Sequence, residues 1–371
     1  MINKNVLGIV FSSAYDDNIR EMTNIRTMGS IPFAGRYRLI DFVLSNMVNC
    51  GITKVGVVTK SNYQSLMDHV SSGKPWDLSR KNEGLFLLPP FSNFNTGYYH
   101  GRIEALLGIS SFLENSKEEY VLLSDCNAIY NIDFNEILRA HDEKDADITI
   151  VYKNGKTPAL RDLMSFRFAD DGRITEASIL DGEQTTADYS INIMLMRKSL
   201  LQRLMSDAHN MNYTSFERDI IQKNVSKLKM YGYEAKGFAE IIDSLQSYYD
   251  INMSLLDIKN NDSLFDRNHP IYTKIRDDMP VIYGLGSDVK NSIVADGCVI
   301  DGTVENSILF RGVRVAKGAV VKNSIVMQDS YISEDAKLDC VITDKGVVVK
   351  PAKVLTGDRN YPFFIGKGIV I

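Results

Sequence analysis

From about residue 280 to the C-terminus, short β-branched runs recur at a constant six-residue phase, and this constrains the fold more than anything else in the chain. Val313, Ala319, Ile325 and Tyr331 lie six apart, as do Val320, Val326, Ile332 and Leu338. Asn291-Ser292-Ile293-Val294 recurs as Asn306-Ser307-Ile308-Leu309 and Asn323-Ser324-Ile325-Val326. Ordinary hairpins would place turn signals about 8–12 residues apart without a fixed phase. Six-residue runs broken by glycine are the pattern of a parallel β-helix. A single coil cannot bury its own apolar face, so the coils must stack to make a core.

The N-terminal part reads differently. The apolar run Val6–Phe11 predicts a buried strand. Ile40, Val43, Leu44 and Met47 fall at helical spacing from about Leu39, with Gly51 as a C-terminal stop. Residues 54–59 predict a second strand, then a helix capped by Ser61. Residues 73–99 read as a long loop, 102–113 as a helix and 120–124 as another buried strand. Strands that alternate with helices predict a doubly wound sheet. Further on, Thr214-x-x-Glu217 reads as a capping box, and Ser244 as the cap of a later helix. The expected organisation is a first domain over residues 1–258, a linker over 259–280 and a β-helix over 281–371.

A strand, a loop and a helix at the start of a chain commonly frame a phosphate site. Here the loop is Ser12-Ser13-Ala14-Tyr15-Asp16-Asp17, without glycine and with two carboxylates. The formal net charge of −5 and the absence of a basic block argue against nucleic acid and membrane surfaces as partners. Cys50, Cys126, Cys298 and Cys340 are scattered, with no C-x-x-C pair, which argues against a zinc site and a disulfide framework. A cytoplasmic location is expected.

Ile31-Pro32-Phe33-Ala34-Gly35-Arg36-Tyr37-Arg38-Leu39-Ile40-Asp41-Phe42, followed by Leu44-Ser45-Asn46, resembles the P-F-G-G-x-Y-R-[LI]-I-D-F-x-L-S-N block of bacterial glucose-1-phosphate adenylyltransferases, the ADP-glucose pyrophosphorylases. Trp76-Asp77-Leu78, Asp219-Ile220-Ile221 and Phe310-Arg311-Gly312-Val313 support the likeness. The resemblance implies a Rossmann-like α/β nucleotidyltransferase domain with a mixed, mostly parallel sheet, followed by a left-handed parallel β-helix. It also implies assembly as tetramers. The implied reaction joins ATP and glucose 1-phosphate into ADP-glucose and pyrophosphate, for glycogen synthesis.

That reaction brings two anions together, so it depends on positioning and on compensating positive charge. The chain departs from the family at the positions that supply these. The Gly-rich loop falls on Ser13, Ala14, Asp16 and Asn18, whose side chains keep a triphosphate from the backbone. Asp16 and Asp17 would repel it by about 1 kcal/mol per charge at 4 Å even in water. In the family's R-A-K-P segment Arg26 is kept, but Met28 replaces the lysine. The first metal aspartate falls on Asn127 in one alignment and on Cys126 in another, with Asp125 the only residual metal candidate. The second falls on Ile241, which cannot ligate Mg²⁺. The sugar-phosphate lysine falls on Leu180, and G-T-A-D-A appears as Gly101-Arg102-Ile103-Glu104-Ala105.

The resemblance is therefore strongest to the regulatory D-type subunit of this family. It implies no catalytic residue, and neither metal nor other cofactor held by this chain. Mg²⁺ is expected in a catalytic partner subunit, within a mixed oligomer, expected to be a tetramer. An active enzyme with a rearranged site would instead use Asp125, Asp243 or Glu240 on the metal. A β-helix acyltransferase would want a histidine in the repeats, and His69, His100, His141, His209 and His269 all lie outside them. Arg26, Arg36 and Arg38, with Arg102 across the cleft, are the candidate ligands for a phosphorylated effector or a vestigial nucleotide, because guanidinium forks match phosphate.

Overall fold

In the computed structural model, which describes residues 5–90, 101–180, 182 and 184–371, nine strands of the described residues form one mixed sheet. Its middle is parallel: Val6–Phe11 lies between Lys54–Val58 and Tyr120–Asp125, and Gly84–Leu88 adds at one edge. Thr186–Arg197 runs antiparallel beside Tyr120–Asp125. Side chains alternate along a strand, so Leu7, Ile9 and Phe11 enter one core while Val6 and Val10 enter the other. Helices Arg102–Gly108 and Lys198–Asn210 cover the first face with Ile103, Leu106, Leu201 and Leu204. Helix Leu39–Asn49 covers the second with Ile40, Val43, Leu44 and Met47, at the spacing read from the sequence.

The C-terminal part is the left-handed parallel β-helix, its described strands forming three sheets of five. Val304 pairs with Val321, and Val321 with Leu338, so the middle coils repeat every 17 residues, one short of three hexads; the first coil, from Val289 to Val304, is shorter still. The missing residue is taken out at the Asn-Ser corner. Asn291, Asn306 and Asn323 have φ of 42°, 46° and 44°, the left-handed region that asparagine tolerates. Each corner is stitched to the next: Asn291 Nδ2 donates to Asn306 Oδ1, and the Ser324 N–H to Ser307 Oγ. The slip breaks the six-residue series. Val313, Ala319 and Ile325 are buried as expected, but Tyr331 points outward, whereas Val326, Ile332 and Leu338 point in.

After the Asn306 and Asn323 corners two adjacent residues are buried on opposite faces. Leu309 and Val326 fill the β-helix interior, while Ile308, Ile325 and Ile342 face outward onto the first domain. There they meet Phe33, Phe42 and Tyr248. Within this apolar seam Arg26, 2% exposed, sends Nη2 to both carboxylate oxygens of Asp344 at 2.9 and 2.8 Å.

Several local expectations need correction. The helix assigned to a Ser61 cap begins at Gln64, after Tyr63. The stretch 73–99 is not all loop, since it contains strand Gly84–Leu88; residues 91–100 lie outside the described residues. Ser215, not Thr214, caps the turn Phe216–Ile221, and Asp219 rather than Glu217 accepts the freed N–H groups. The stretch read as a linker begins in helix Ile258–Leu264, and further on Tyr272 and Lys274 bond to Ser45 and Asp68.

Removing one member of a buried ion pair strands the other. Arg26→Ala is expected to lower unfolding stability by about 3–5 kcal/mol, and a paired Arg26→Met, Asp344→Leu variant by clearly less. Urea denaturation followed by circular dichroism checks both.

Candidate functional site

The carboxyl ends of the parallel strands open into a cavity of about 520 Å³, the place where open α/β sheets bind ligands. Phe11 is level with Asp125 in the register, which brings the loop after the first strand against the end of Tyr120–Asp125. That loop is folded onto its own chain. Ser12 Oγ donates to Val58 O, the Gly29 N–H donates to Ser12 O, and the Met28 N–H donates to Asp16 Oδ1 at 2.7 Å. A Cβ on Gly29 would sit 3.3 Å from both Cys126 Sγ and Ser12 Cβ, so the segment is tightly seated. Burial pushes the Asp16 carboxyl up to about 6, opposed by its bond from Met28. The Tyr15 hydroxyl, buried and raised in pKa chiefly by that burial, accepts from Asn192 Nδ2.

Arg102 dominates the cavity floor. Its Nη2 donates to Asp125 Oδ2 at 2.7 Å, and Nη1 lies 3.4 Å from Glu217 Oε1. The guanidinium sits between the rings of Phe11 and Phe216, 5.2 and 5.5 Å from their centroids. Burial raises the Asp125 carboxyl to about 6, with Glu217 adding to the rise and Arg102 opposing it. Asp125, the residual metal candidate, is thus held by a cation of the protein itself.

The two positions that the resemblance gives to metal carboxylates do come together. Ala239–Ile241 pairs antiparallel with Ala128–Tyr130, placing Ile241 opposite Ala128, and the Ile242 N–H donates to Asn127 O. They carry an amide and an apolar side chain. Asn127 is 1% exposed, and neither of its amide's polar atoms has a hydrogen-bond partner among the described residues. Cys126, the other alignment, is buried, and burial raises its thiol well above the usual range. Asp243 accepts from the Ala159 N–H and from Ser244 Oγ, and Glu240 pairs with Lys153 at 2.6 Å. Leu180 ends strand Ile174–Leu180, packs against the second core and does not line the cavity. Among the described residues no group of three or more His, Cys, Asp or Glu side chains could hold a metal ion. These residues do not fit a divalent cation.

The expected arginine cluster is divided. Arg26 is spent on Asp344, and Arg102 lies on the cleft floor. Arg36 and Arg38 line a second cavity of about 260 Å³, between the first domain and the β-helix. Lys274, Arg276, Arg311 and Lys345 join them there, and no carboxylate is among its described lining residues. Arg38 donates to Ser65, while Arg36 is half-exposed and only 3.9 Å from Asp296. Sequence reasoning missed the four added cations because they are spread over the linker and two β-helix coils. Only Arg311, within the Phe310-Arg311-Gly312 block, carried a signal.

Comparison with known proteins agrees with this architecture. Residues 14–174 match the Nucleotidyl transferase family, and residues 284–361 match the family described as GlmU-like, C-terminal hexapeptide. The chain is 36% identical over 370 residues to the glycogen biosynthesis protein GlgD of Bacillus subtilis (strain 168), across 100% of this chain and 98% of that protein. It is 38% identical to the GlgD protein of Geobacillus stearothermophilus, again across 100% and 98%. It is also 30% identical to the glucose-1-phosphate adenylyltransferase of Clostridium perfringens (strain SM101 / Type A), across 90% of this chain and 87% of the relative.

The Asp125 carboxyl titrates higher folded than unfolded, so the folded state holds its proton more tightly and this group lowers stability as pH rises from about 4 to 6. Removing the arginine extends that window upward. Arg102→Met is expected to cost about 3–5 kcal/mol at pH 8, with the deficit shrinking toward pH 5. Thermal unfolding across pH checks this; a pH-independent deficit would count against the pairing.

Proposed function

The chain belongs to the glucose-1-phosphate adenylyltransferase family, and from that premise we propose that it is a regulatory subunit, silent or nearly silent in catalysis, which modulates a catalytic paralogue making ADP-glucose for glycogen synthesis. The observation that carries this reading is Arg102 seated on Asp125, with Ile241 beside Asn127. A cleft that joins ATP to glucose 1-phosphate has to offer unspent positive charge and oxygen ligands for Mg²⁺. Here the buried guanidinium is neutralised by Asp125 and Glu217, and the loop that would receive phosphates is closed by Asp16. Mg²⁺ and the chemistry then belong to the partner. No helix of the described residues is long and apolar enough to cross a membrane, and a place in the cytoplasm is part of the proposal.

The mixed oligomer, taken to be a tetramer, is supported by the open first coil of the β-helix. Ile282, Tyr283 and Leu285 are exposed there, apolar surface of the kind that subunits cover. The phosphorylated effector or vestigial nucleotide is assigned to the cavity holding Arg36 and Arg38, which Lys274, Arg276, Arg311 and Lys345 also line.

Three measurements test this. The purified chain alone is expected to make ADP-glucose at least about a hundredfold more slowly than its mixture with the catalytic paralogue; equal rates would overturn the reading. Leu285→Asp is expected to abolish co-purification with that paralogue while leaving thermal unfolding unchanged. Calorimetric titration with ATP, glucose 1-phosphate and a hexose bisphosphate is expected to detect anion binding that weakens about tenfold or more in Arg36→Ala.

A further inference from the structure

Two walls of the interdomain cavity are not permanent cations. Lys345 follows Asp344, whose carboxylate is taken by Arg26 and by the Lys345 backbone N–H. The Lys345 amine has no ion-pair partner among the described residues and faces Arg38, Arg26 and Lys367, with Asp344 opposing them. Burial first, then the two arginines, push that amine down to about 7. His69 lines the same cavity. Its Nε2 lies 2.5 Å from Asp41 Oδ1, and Asp41 Oδ2 accepts the Arg38 N–H that opens helix Leu39–Asn49. Burial holds the imidazole below its usual range; Asp41 opposes this, and Arg38 and Lys345 reinforce it. In the neutral ring Nε2 carries the hydrogen given to Asp41, which leaves Nδ1 as an acceptor.

An anion placed among these groups reverses the balance. It puts negative charge beside an amine and an imidazole whose charged forms are otherwise disfavoured, and so favours their protonation. We propose that the cavity between the domains is a proton-coupled anion site, in which Lys345 and His69 take up protons as a phosphate ester binds, so that the subunit reads pH and a phosphorylated ligand together. The proposal rests on the anion-site reading above and adds the coupling to it. By linkage the affinity falls as pH rises, because free Lys345 loses its proton while the bound form keeps it. Between pH 6.5 and 8.5 the loss is about twentyfold, most of it above pH 7. His69 adds slope at the acidic end.

The chain carries its own reporter. Trp76, its only tryptophan, packs edge-on against His69, with ring centroids 5.9 Å apart, and a protonated imidazole quenches a neighbouring indole. The probe is inorganic sulfate, which stays a dianion throughout this range, so any pH dependence belongs to the protein. The full chain is titrated at constant ionic strength against chloride, by Trp76 fluorescence and by calorimetry. The expected results are an affinity that falls about twentyfold from pH 6.5 to 8.5 and sulfate-induced quenching at the acidic end. Lys345→Arg, charged at every pH, should still bind and should flatten the slope; His69→Gln should bind without the quenching. A flat wild-type profile, or a slope unchanged in Lys345→Arg, overturns the coupling and leaves the anion site standing. No sulfate binding by either readout at any pH overturns the anion site itself.

Discussion

The buried pair of Arg26 with Asp344 fixes how the two parts of this chain meet. The outward row Ile308, Ile325 and Ile342 repeats once per coil. A surface of that kind is nearly periodic: sliding it by one coil, about 4.8 Å, sets isoleucine where isoleucine was. Apolar packing alone therefore chooses a face but not a register. A buried ion pair adds little net stability, because desolvation consumes most of its attraction, yet it penalises strongly any arrangement that leaves one member alone. Arg26 reaches one aspartate in one coil, and that contact selects a single register.

The consequences run along the chain from Arg26. Two residues later the Met28 N–H is held by Asp16, and the Gly29 N–H by Ser12, so the anchor on the β-helix also sets the closed loop at the cleft. Ten to twelve residues later Arg36 and Arg38 reach the interdomain cavity, where Arg311 and Lys345 arrive from the β-helix side. A shift of one coil would carry those two away. The register contact and the basic cavity are thus one construction, and an anion bound there would bear on the loop through Asp344 and Arg26.

What could be read from the sequence was whatever repeats or is local. The strand Val6–Phe11, the face of helix Leu39–Asn49 and the stacking of the C-terminal coils all follow from periodicity. Asn127 and Ile241 were located by motif, and the pairing of their strands puts them side by side. Partners distant in the chain were not legible. Arg26 was placed with the phosphate ligands because nothing local says that its carboxylate lies 318 residues away. Glu217 looked like half of a capping box because Thr214-x-x-Glu217 has the right spacing, although its charge belongs to Arg102. The 17-residue coil was hidden because a six-residue rule has no place for a corner that drops a residue, and Tyr331 fell on the wrong side in consequence.

Arg102 also bears on how a cleft of this descent can lose its ligands and remain folded. In the family block that this segment resembles, the position is a threonine. Asp125 and Glu217 lie together here in a space that burial has made poor at holding charge. Unpaired, each would be costly. A guanidinium placed between two aromatic rings and bonded to the deeper carboxylate supplies the missing cation from within. The same guanidinium that compensates the fold occupies the Asp125 oxygen that faces it. Asp125 is thereby tied to the fold: a cation from solvent could engage that oxygen only by displacing the arginine that stabilises it.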